Sequence, residues 1–290
     1  MDNTVNVMPI KPLDYCAPVI GEIRIVTTSD GTRLHTVSAG TGQPIVLAHG
    51  FAVDIVEWNV IAAALVAQGY RVIAFDQRGH GKSTIGSNAI SSESMASDYA
   101  AILNDYDVHD AVLVMHSMAG FIGIRFLVDY PDVVADRIKS ILLLATFAGD
   151  INRNNPQNRV QLPLIRSGIL STLIKNKWIG KAFANSLLGD NKDPAMAHAF
   201  LTSFQSQNLR PLAAMVSAMS NENRYDRLEE IAVPCTIMVG AKDKTTPAFH
   251  TDLLHAGIAD SKLVRVPAVG HLINWEASDQ VITEIVALAQ

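Results

Sequence analysis

Short apolar runs alternate with helix-length segments along most of this chain, and this alternation limits the possible folds more than any other feature. Eight runs of five to eight residues have the composition of strands, at residues 21–28, 32–39, 44–48, 71–75, 111–115, 138–145, 235–239 and 262–266. Helical patterns lie between most of them, at 55–68, 94–106, 118–130, 247–256 and 276–288. Because a strand, a helix and a second strand favour parallel pairing with a right-handed crossover, we predict an α/β protein with a mostly parallel sheet. The turn Ser29-Asp30-Gly31 between the first two runs predicts an antiparallel hairpin at the start.

The alternation stops between residues 145 and 234, where the pattern is helical and contains no strand. Asn154-Asn155-Pro156, Asp193-Pro194 and Arg210-Pro211 divide this stretch into helix-length segments. We therefore predict a helical lid at residues 147–225, inserted into a core of residues 21–146 and 226–290, with an N-terminal extension at residues 1–20. Large apolar side chains are expected to form the core of the lid, with a subset lining a pocket: Phe147, Trp178, Phe183, Phe200, Phe204, Met215 and Met219.

Charge, cysteine content and hydropathy exclude several classes of protein. The net charge of −5 argues against nucleic acid as a partner. Cys16 and Cys235 are far apart, and Cys235 lies in a strand pattern, so we expect a buried thiol rather than a disulfide. Residues 1–18 lack a signal-peptide pattern, and the most apolar window, 111–128, is interrupted by polar side chains. We therefore expect a cytoplasmic protein with no integral membrane segment.

The histidines and cysteines do not have the spacing of a metal site. The glycines between Asp76 and Ser83 also lack the spacing of a phosphate-binding P-loop. We therefore predict no metal and no organic cofactor.

The predicted lid is basic although the whole chain is acidic. It contains nine Lys and Arg residues against four Asp and Glu. One interpretation is that these are solvated helix faces, and another is that they attract an anionic substrate or an acidic surface to the pocket mouth. A further hypothesis is that the lid docks on a membrane or a protein partner through residues 160–174.

Ser117 is the strongest candidate for a catalytic nucleophile. It follows the apolar run at 111–115 and precedes a helical pattern that begins at Met118. A sharp turn from strand to helix holds its central residue in a strained backbone conformation and lifts the hydroxyl towards a substrate. The Met118 N–H is then predicted to help bind a developing oxyanion. The second donor is predicted to be the Phe51 N–H, because Gly50 lets the loop after the third strand turn towards Met118.

An acid and a histidine follow Ser117 along the chain, each after its own predicted strand. Asp243 lies between a strand and a helix that begins at a proline, and His271 lies between the last strand and the last helix. With its Nδ1–H held by Asp243, His271 would accept the Ser117 proton at Nε2 and return it to the leaving group. His116, next to the serine, is predicted to pack or to form hydrogen bonds rather than to react.

Five motifs, taken together and in this order, resemble those of the α/β-hydrolase superfamily. They are His49-Gly50-Phe51, Asp76-Gln77-Arg78-Gly79-His80-Gly81-Lys82-Ser83, His116-Ser117-Met118-Ala119-Gly120, Gly240-x-x-Asp243-x-x-x-Pro247 and Gly270-His271. The resemblance implies an eight-stranded α/β-hydrolase fold with a helical lid after the sixth strand. It also implies a triad of Ser117, Asp243 and His271, and hydrolysis through an acyl-enzyme. Because some members of the superfamily carry the acid after the sixth strand, Asp150 is an alternative to Asp243.

Met115 departs from the pattern of the superfamily, which usually has glycine two residues before the nucleophile. Ala119 replaces a second glycine, two residues after the nucleophile, and is a milder change. A methionine adds bulk at a crowded turn. The substitution therefore raises the hypothesis that the turn is shifted, that Ser117 is tilted, or that the floor of the pocket is narrowed.

The primary functional hypothesis is a serine hydrolase with a lid that cleaves carboxylic esters of small to medium apolar substrates. A serine nucleophile does not suit the alkyl-enzyme route of dehalogenases and epoxide hydrolases, because water must afterwards attack an acyl carbon. The same triad leaves open the hydrolysis of carbon–carbon bonds, lactones or thioesters. A non-catalytic ligand-binding member of the fold is the alternative from another class. The sequence also leaves open whether the chain forms a homodimer.

Overall fold

The computed structural model describes residues 13–290, and residues 1–12 of the predicted N-terminal extension lie outside that range. Eight strands form one sheet: β1 Glu22–Thr27, β2 Arg33–Ala39, β3 Pro44–Ala48, β4 Arg71–Phe75, β5 Ala111–His116, β6 Ile138–Leu144, β7 Cys235–Gly240 and β8 Ser261–Val266. Their spatial order is β1-β2-β4-β3-β5-β6-β7-β8. Strand β2 pairs antiparallel with β1 and β4, and every other neighbouring pair is parallel. The predicted α/β class and mostly parallel eight-stranded sheet are confirmed.

The helices of the described residues lie between and beyond these strands. They are α1 Asn59–Ala67, α2 Ser92–Asp105, α3 Met118–Asp129, α4 Pro131–Arg137, α5 Pro156–Arg166, α6 Ile169–Leu173, α7 Lys177–Leu187, α8 Pro194–Ser206, α9 Leu209–Asn221, α10 Phe249–Gly257, α11 Ile273–Glu276 and α12 Ser278–Ala289. The predicted helix at 55–68 begins as a 3₁₀ turn, Ile55–Trp58, which the Asp54 side chain caps. Helix α4, where Pro131 begins a new helix directly after α3, was not predicted.

The central strands are buried on both faces, as expected of a parallel sheet covered by helices on each side. All six residues of β5 are buried, and so are all six residues of β7. Strand β5 is paired with β3 and β6, so its carboxyl end meets theirs at the same edge of the sheet. The loops that follow β3, β5, β6, β7 and β8 therefore emerge side by side, which is where ligands bind in sheets of this kind.

Helices α5 to α9 lie between β6 and β7, within residues 147–225, for which we keep the name lid. In α5, α7, α8 and α9 one face is buried and the opposite face is exposed. Each of these helices packs through its buried face, and α5 lies against α9 and α7 against α8. Within residues 13–290, no helix combines the length and the hydropathy needed to cross a bilayer.

Candidate active site

Ser117 lies at the turn between β5 and α3 with φ 54° and ψ −117°. A positive φ in a residue other than glycine is strained, and neighbouring groups hold this one in place. The Ser117 N–H donates to the Leu144 carbonyl over 2.9 Å. The Thr146 hydroxyl donates to the Ser117 carbonyl over 2.6 Å. These two bonds tie the strained residue to the end of β6, so the serine hydroxyl has a defined position. The role of Thr146 was not predicted, because it depends on the pairing between β5 and β6.

Met115 packs away from the cavity above Ser117, so the hypothesis that it narrows the floor of the pocket is wrong. Its side chain is buried on the side of α3, where it lies against the backbone of Gly123. A Cβ atom at position 123 would overlap the Met115 sulfur, so the missing side chain of Gly123 provides the space that Met115 needs. Met115 is not among the residues that line the cavity above Ser117. Gly123 lies inside the helical pattern at 118–130, and a glycine at such a position is a signal in the sequence that another group packs closely against the helix.

Ser117, His271 and Asp243 are joined by two hydrogen bonds. His271 Nε2 lies 3.0 Å from Ser117 Oγ, and His271 Nδ1 lies 2.8 Å from Asp243 Oδ2. All three residues are less than 10% exposed: Ser117 is 7%, His271 6% and Asp243 7% exposed. With Nδ1 protonated towards the carboxylate, Nε2 is left free to accept the serine proton. The arrangement can therefore move a proton from the hydroxyl to the imidazole and stabilise the charge that results.

The loop after β7 holds Asp243 as an ionised carboxylate. The amides of Thr245 and Thr246 donate to Oδ1 over 2.7 and 3.0 Å, and the Thr246 hydroxyl donates to Oδ2 over 2.7 Å. Burial alone would raise the pKa of Asp243, but the charge of His271 and the hydrogen bonds from His271 and Thr246 hold that pKa below its usual value. The resulting stabilisation is present above the unfolded-state pKa of about 3.9 and is lost as the pH falls through the lower folded-state value.

Asp150, the alternative acid, lies after β6 at the start of the lid. Its backbone N–H donates to the Glu222 carbonyl and its carbonyl accepts from the Arg153 N–H. Among the described residues, the carboxylate that contacts His271 Nδ1 is that of Asp243. The structure therefore brings Asp243, and not Asp150, to the histidine.

The loop after β3 lies directly against the serine. A Cβ atom added to Gly50 would lie 3.5 Å from Ser117 Cβ and 3.1 Å from His116 Nδ1, so a side chain at this position would crowd both residues. In the described part of the chain, the backbone N–H groups of Phe51 and Met118 have no hydrogen-bond acceptor. Two free amides that flank a serine can bind an oxygen that becomes negative during a reaction.

A second buried ion pair supports the site from behind. His116 Nδ1 lies 3.2 Å from Glu57 Oε1, and His116 Nε2 lies 3.0 Å from the carbonyl oxygen of His271. A carbonyl and a carboxylate are both acceptors, so these two contacts favour the form of His116 that carries a proton on each ring nitrogen, the imidazolium. Glu57 Oε1 also accepts from the Gly50 N–H over 3.0 Å. The pair therefore connects the loop of Gly50 with the loop of His271. The predicted hydrogen-bonding role of His116 is confirmed.

The charge of His116 depends on Glu57. Burial alone would lower the pKa of His116, but the charge and hydrogen bond of Glu57, the His271 carbonyl and the charge of Asp243 raise that pKa above its usual value. A raised histidine pKa contributes stability that is fully present below the unfolded-state value of about 6.5. This contribution is lost as the pH rises through the folded-state value.

We therefore expect Glu57→Gln to lower the free energy of unfolding by about 3 kcal/mol below pH 6.5, because the imidazolium loses its buried partner. The difference from wild type should shrink as the pH rises. Urea unfolding at a series of pH values measures both effects. The matched control is Glu284→Gln, which removes the pair with the exposed Lys262 and is expected to cost less than about 1 kcal/mol. Stability curves that stay parallel across the pH range would contradict the assignment.

A cavity of about 680 Å³, including its open mouth, lies above Ser117. The residues of the lid that line it are mostly apolar: Ile151, Asn158, Gln161, Leu162, Ile165, Phe183, Leu187, Phe200, Phe204 and Met219. The rings of Phe183, Phe200 and Phe204 contact one another. The expectation that a subset of the large apolar lid residues lines a pocket is thus confirmed. The expectation that Trp178 belongs to the core of the lid is wrong, because its side chain is 83% exposed on the outer side.

Among residues 13–290, no group of three or more His, Cys, Asp or Glu side chains is arranged to hold a metal ion. Cys235 is buried in β7 and Cys16 is exposed, and both are free thiols.

Comparison with known proteins agrees with this architecture. A family model described as the alpha/beta hydrolase fold matches residues 43–278. The chain is a member of the α/β-hydrolase family. This α/β hydrolase is 27% identical over 250 residues to a non-heme chloroperoxidase of Kitasatospora aureofaciens, covering 83% of this chain and 89% of that protein. It is 26% identical over 277 residues to a non-heme haloperoxidase of Rhodococcus erythropolis, covering 91% of this chain and 98% of that protein.

Among solved structures, an esterase from Exiguobacterium antarcticum superposes on this α/β hydrolase with a TM-score of 0.81. The match has 20% sequence identity and covers 93% of this chain and 99% of the esterase. At this level of identity the likeness concerns the fold.

Proposed function

We propose that this α/β hydrolase is a serine hydrolase that cleaves carboxylic esters of small to medium apolar substrates through an acyl-enzyme. The observation that carries the proposal is the pair of hydrogen bonds from Ser117 to His271 and from His271 to Asp243. Ser117 sits in a strained turn beside two free backbone amides, as nucleophilic catalysis at a carbonyl requires.

In the first half of the reaction, Ser117 Oγ attacks the ester carbonyl carbon while His271 Nε2 takes the hydroxyl proton. The carbonyl oxygen becomes an oxyanion and accepts hydrogen bonds from the N–H groups of Phe51 and Met118. One such donor is typically worth about 2.7–4 kcal/mol in the transition state. When the tetrahedral intermediate collapses, the bond to the alcohol oxygen breaks. His271 gives its proton to that oxygen and the alcohol leaves. The acyl group stays on Ser117.

In the second half, water takes the place of the alcohol. His271 Nε2 removes a proton from the water, and the oxygen attacks the acyl carbon to form a second oxyanion at the same two amides. Collapse of this intermediate breaks the bond to Ser117 Oγ, and His271 returns the proton to the serine. The products are a carboxylic acid and an alcohol. Asp243 stays ionised throughout and holds the imidazole in the required orientation.

The shape and lining of the cavity support an apolar substrate. The 680 Å³ between its walls include the open mouth, so the enclosed part is smaller and suits a small substrate. Most of its wall consists of aliphatic and aromatic side chains of the lid, and its polar groups include Asn158, Gln161 and Thr245. A short acyl or alcohol group would be buried against apolar surface, while a few polar groups orient it.

The direct test of the nucleophile is labelling with a fluorophosphonate probe, which reacts covalently with an activated serine. We expect the wild-type protein to be labelled and Ser117→Ala to remain unlabelled. A folded wild type that does not react would contradict the proposal and would favour a protein that binds a ligand without turning it over.

A panel of substrates distinguishes between the reactions that the same three residues could perform. We expect turnover of p-nitrophenyl esters of short acyl chains, with activity falling as the chain outgrows the cavity. Lactones, thioesters and compounds with a hydrolysable carbon–carbon bond form the comparison arms. If the protein turned over only one of these comparison compounds, the class of that compound, and not carboxylic esters, would be the substrate class.

The similarity to proteins named non-heme haloperoxidases supports a second candidate. This candidate is perhydrolysis on the same triad. Hydrogen peroxide, rather than water, would attack the acyl group on Ser117 and release a peroxycarboxylic acid. Adding hydrogen peroxide to an ester assay tests it, because peracid formation can be followed by the oxidation of a halide. Without a peracid product that depends on Ser117, this candidate fails while ester hydrolysis stands.

A further inference from the structure

The charge of this α/β hydrolase is distributed very unevenly. Residues 151–189 contain no Asp or Glu, although the net charge of the whole chain is −5. The same 39 residues carry six cations, namely Arg153, Arg159, Arg166, Lys175, Lys177 and Lys181. The acidic part of the protein therefore lies elsewhere, and this part of the lid is a separate basic surface.

These cations are available for binding. All six are exposed, and none forms an ion pair with another described residue. Cations outside the segment are often paired, as Arg125 is with Asp129 and Arg227 with Glu230. An unpaired cluster on an otherwise acidic protein indicates a surface that meets an anionic partner.

Exposed apolar side chains lie among the same cations. Val160, Ile169, Leu173, Trp178 and Ile179 make up half of the large hydrophobic residues that are exposed in the described chain. Four of them lie in residues 169–182, which comprise α6, its connection to α7 and the first half of α7. We call this segment the lid corner. Residues 175–179 are exposed without interruption, and Trp178 is 83% exposed between Lys177 and Lys181.

The lid corner is the outer side of the wall of the cavity. In α7, Phe183 and Leu187 line the cavity, whereas Lys177, Trp178 and Lys181 face solvent. Gly180 allows α7 to approach the carbonyl of Ile174 closely, because a Cβ atom there would lie 2.6 Å from that oxygen. The corner is therefore closely packed, with a continuous run of exposed side chains at residues 175–179.

We propose that the lid corner docks on an anionic lipid bilayer. A helix end with an exposed tryptophan and flanking lysines suits the interface of a bilayer, where the indole lies at the level of the headgroups and the ammonium groups meet lipid phosphates. Each Lys or Arg near an anionic surface adds to the attraction. The acidic remainder of the protein is repelled, so the lid faces the lipid. Docking does not require the proposed function. A supply of apolar esters from the bilayer to the cavity would rest on the proposed function.

Vesicle co-sedimentation tests the charge requirement. The two vesicles are phosphatidylcholine alone, and a mixture of three parts phosphatidylcholine to one part phosphatidylglycerol. We expect the protein to bind the anionic vesicle, and we expect added salt to weaken the binding. The double variant Lys177→Gln/Lys181→Gln should bind roughly 10- to 30-fold more weakly. The matched control, Arg33→Gln/Lys262→Gln, removes two cations outside the lid and should bind like the wild type.

Tryptophan fluorescence tests which part of the protein enters the interface. The chain has three tryptophans, and Trp58 and Trp275 are buried, so a change of environment at the surface is reported by Trp178. We expect anionic vesicles to shift the emission to the blue in the wild type and to leave it unchanged in Trp178→Phe. Using Ser117→Ala protein for the same titration separates docking from turnover, because it should bind as the wild type does.

Several outcomes would overturn the proposal. Equal binding to both vesicles would show that the cations do not drive docking. Binding to the anionic vesicle without a change in the Trp178 emission would show that another part of the protein makes the contact. A blue shift that grows with protein concentration in the absence of vesicles would indicate that a second copy covers the corner. Binding to polyglutamate without binding to vesicles would indicate an acidic protein instead. If docking is observed but the serine probe does not react, the proposed function fails and the docking surface stands.

Discussion

Replacing Asp243 with asparagine is expected to lower kcat for a soluble ester by about four orders of magnitude. The Thr245 and Thr246 amides donate to Oδ1, so the asparagine would keep its oxygen there and place its NH₂ group at the position of Oδ2. That group faces His271 Nδ1 and would donate to it. His271 would then carry its proton on Nε2, where it cannot accept the proton of Ser117. Steady-state kinetics with a p-nitrophenyl ester measures the effect.

The matched control for this substitution is Asp150→Asn. Asp150 follows a neighbouring strand but contacts the backbone of the lid rather than His271, so its replacement should change kcat by less than about twofold. KM should change little in Asp243→Asn, because the carboxylate lies behind the imidazole and does not line the cavity. If Asp150→Asn abolished turnover while Asp243→Asn stayed within tenfold of wild type, the acid would be assigned to the wrong residue.

The second large effect concerns Met115 and Gly123, and its sign should depend on the background. Alanine is a better helix former than glycine by about 1 kcal/mol, yet Gly123→Ala should destabilise the wild type by about 1–3 kcal/mol. The reason is that the added methyl group would overlap the Met115 sulfur, and both residues are buried at the base of the Ser117 turn. Denaturant unfolding measures the change, and a fall in kcat would report displacement of Ser117.

Removing the methionine should reverse this result. Met115→Ala alone should cost about 2–5 kcal/mol, because it leaves a cavity between β5 and α3. In that background Gly123→Ala should stabilise the protein, since the methyl group fills part of the cavity and improves helix propensity. A double-mutant cycle gives the interaction energy directly. If the two substitutions were additive, Gly123 would not be the residue that accommodates Met115.

Much of the fold could be predicted because strands and helices are encoded over short distances. The eight strands lie within two residues of their predicted positions, since each is a short apolar run bounded by turn residues. The turn at Ser117 was recognisable because a buried strand, a serine and a helical pattern follow one another directly. Helix α4 was missed because it has only seven residues, so its helical pattern is too short to stand out between Pro131 and β6.

The residues that support the site could not be found in the same way. Glu57 and His116 are 59 positions apart, and nothing near either one indicates the other. Their pairing depends on how the loop after β3 packs against β5. Thr246 is an intermediate case, since a threonine three residues after Asp243 is a local pattern in which the hydroxyl can return to the carboxylate. Trp178 was misplaced because an apolar residue in a helix gives no indication of which face is covered.

The sequence alone determined the order and type of the elements, and with them the edge of the sheet from which Ser117, Asp243 and His271 emerge. These features follow from periodicity and turn chemistry within a few residues of each position. Only the tertiary structure decided the distances between those three side chains, the accommodation of Met115 by Gly123, the ion pair behind the site and the exposure of the lid corner. Contacts between distant segments depend on register, crossing geometry and side-chain rotamers, which no local pattern specifies.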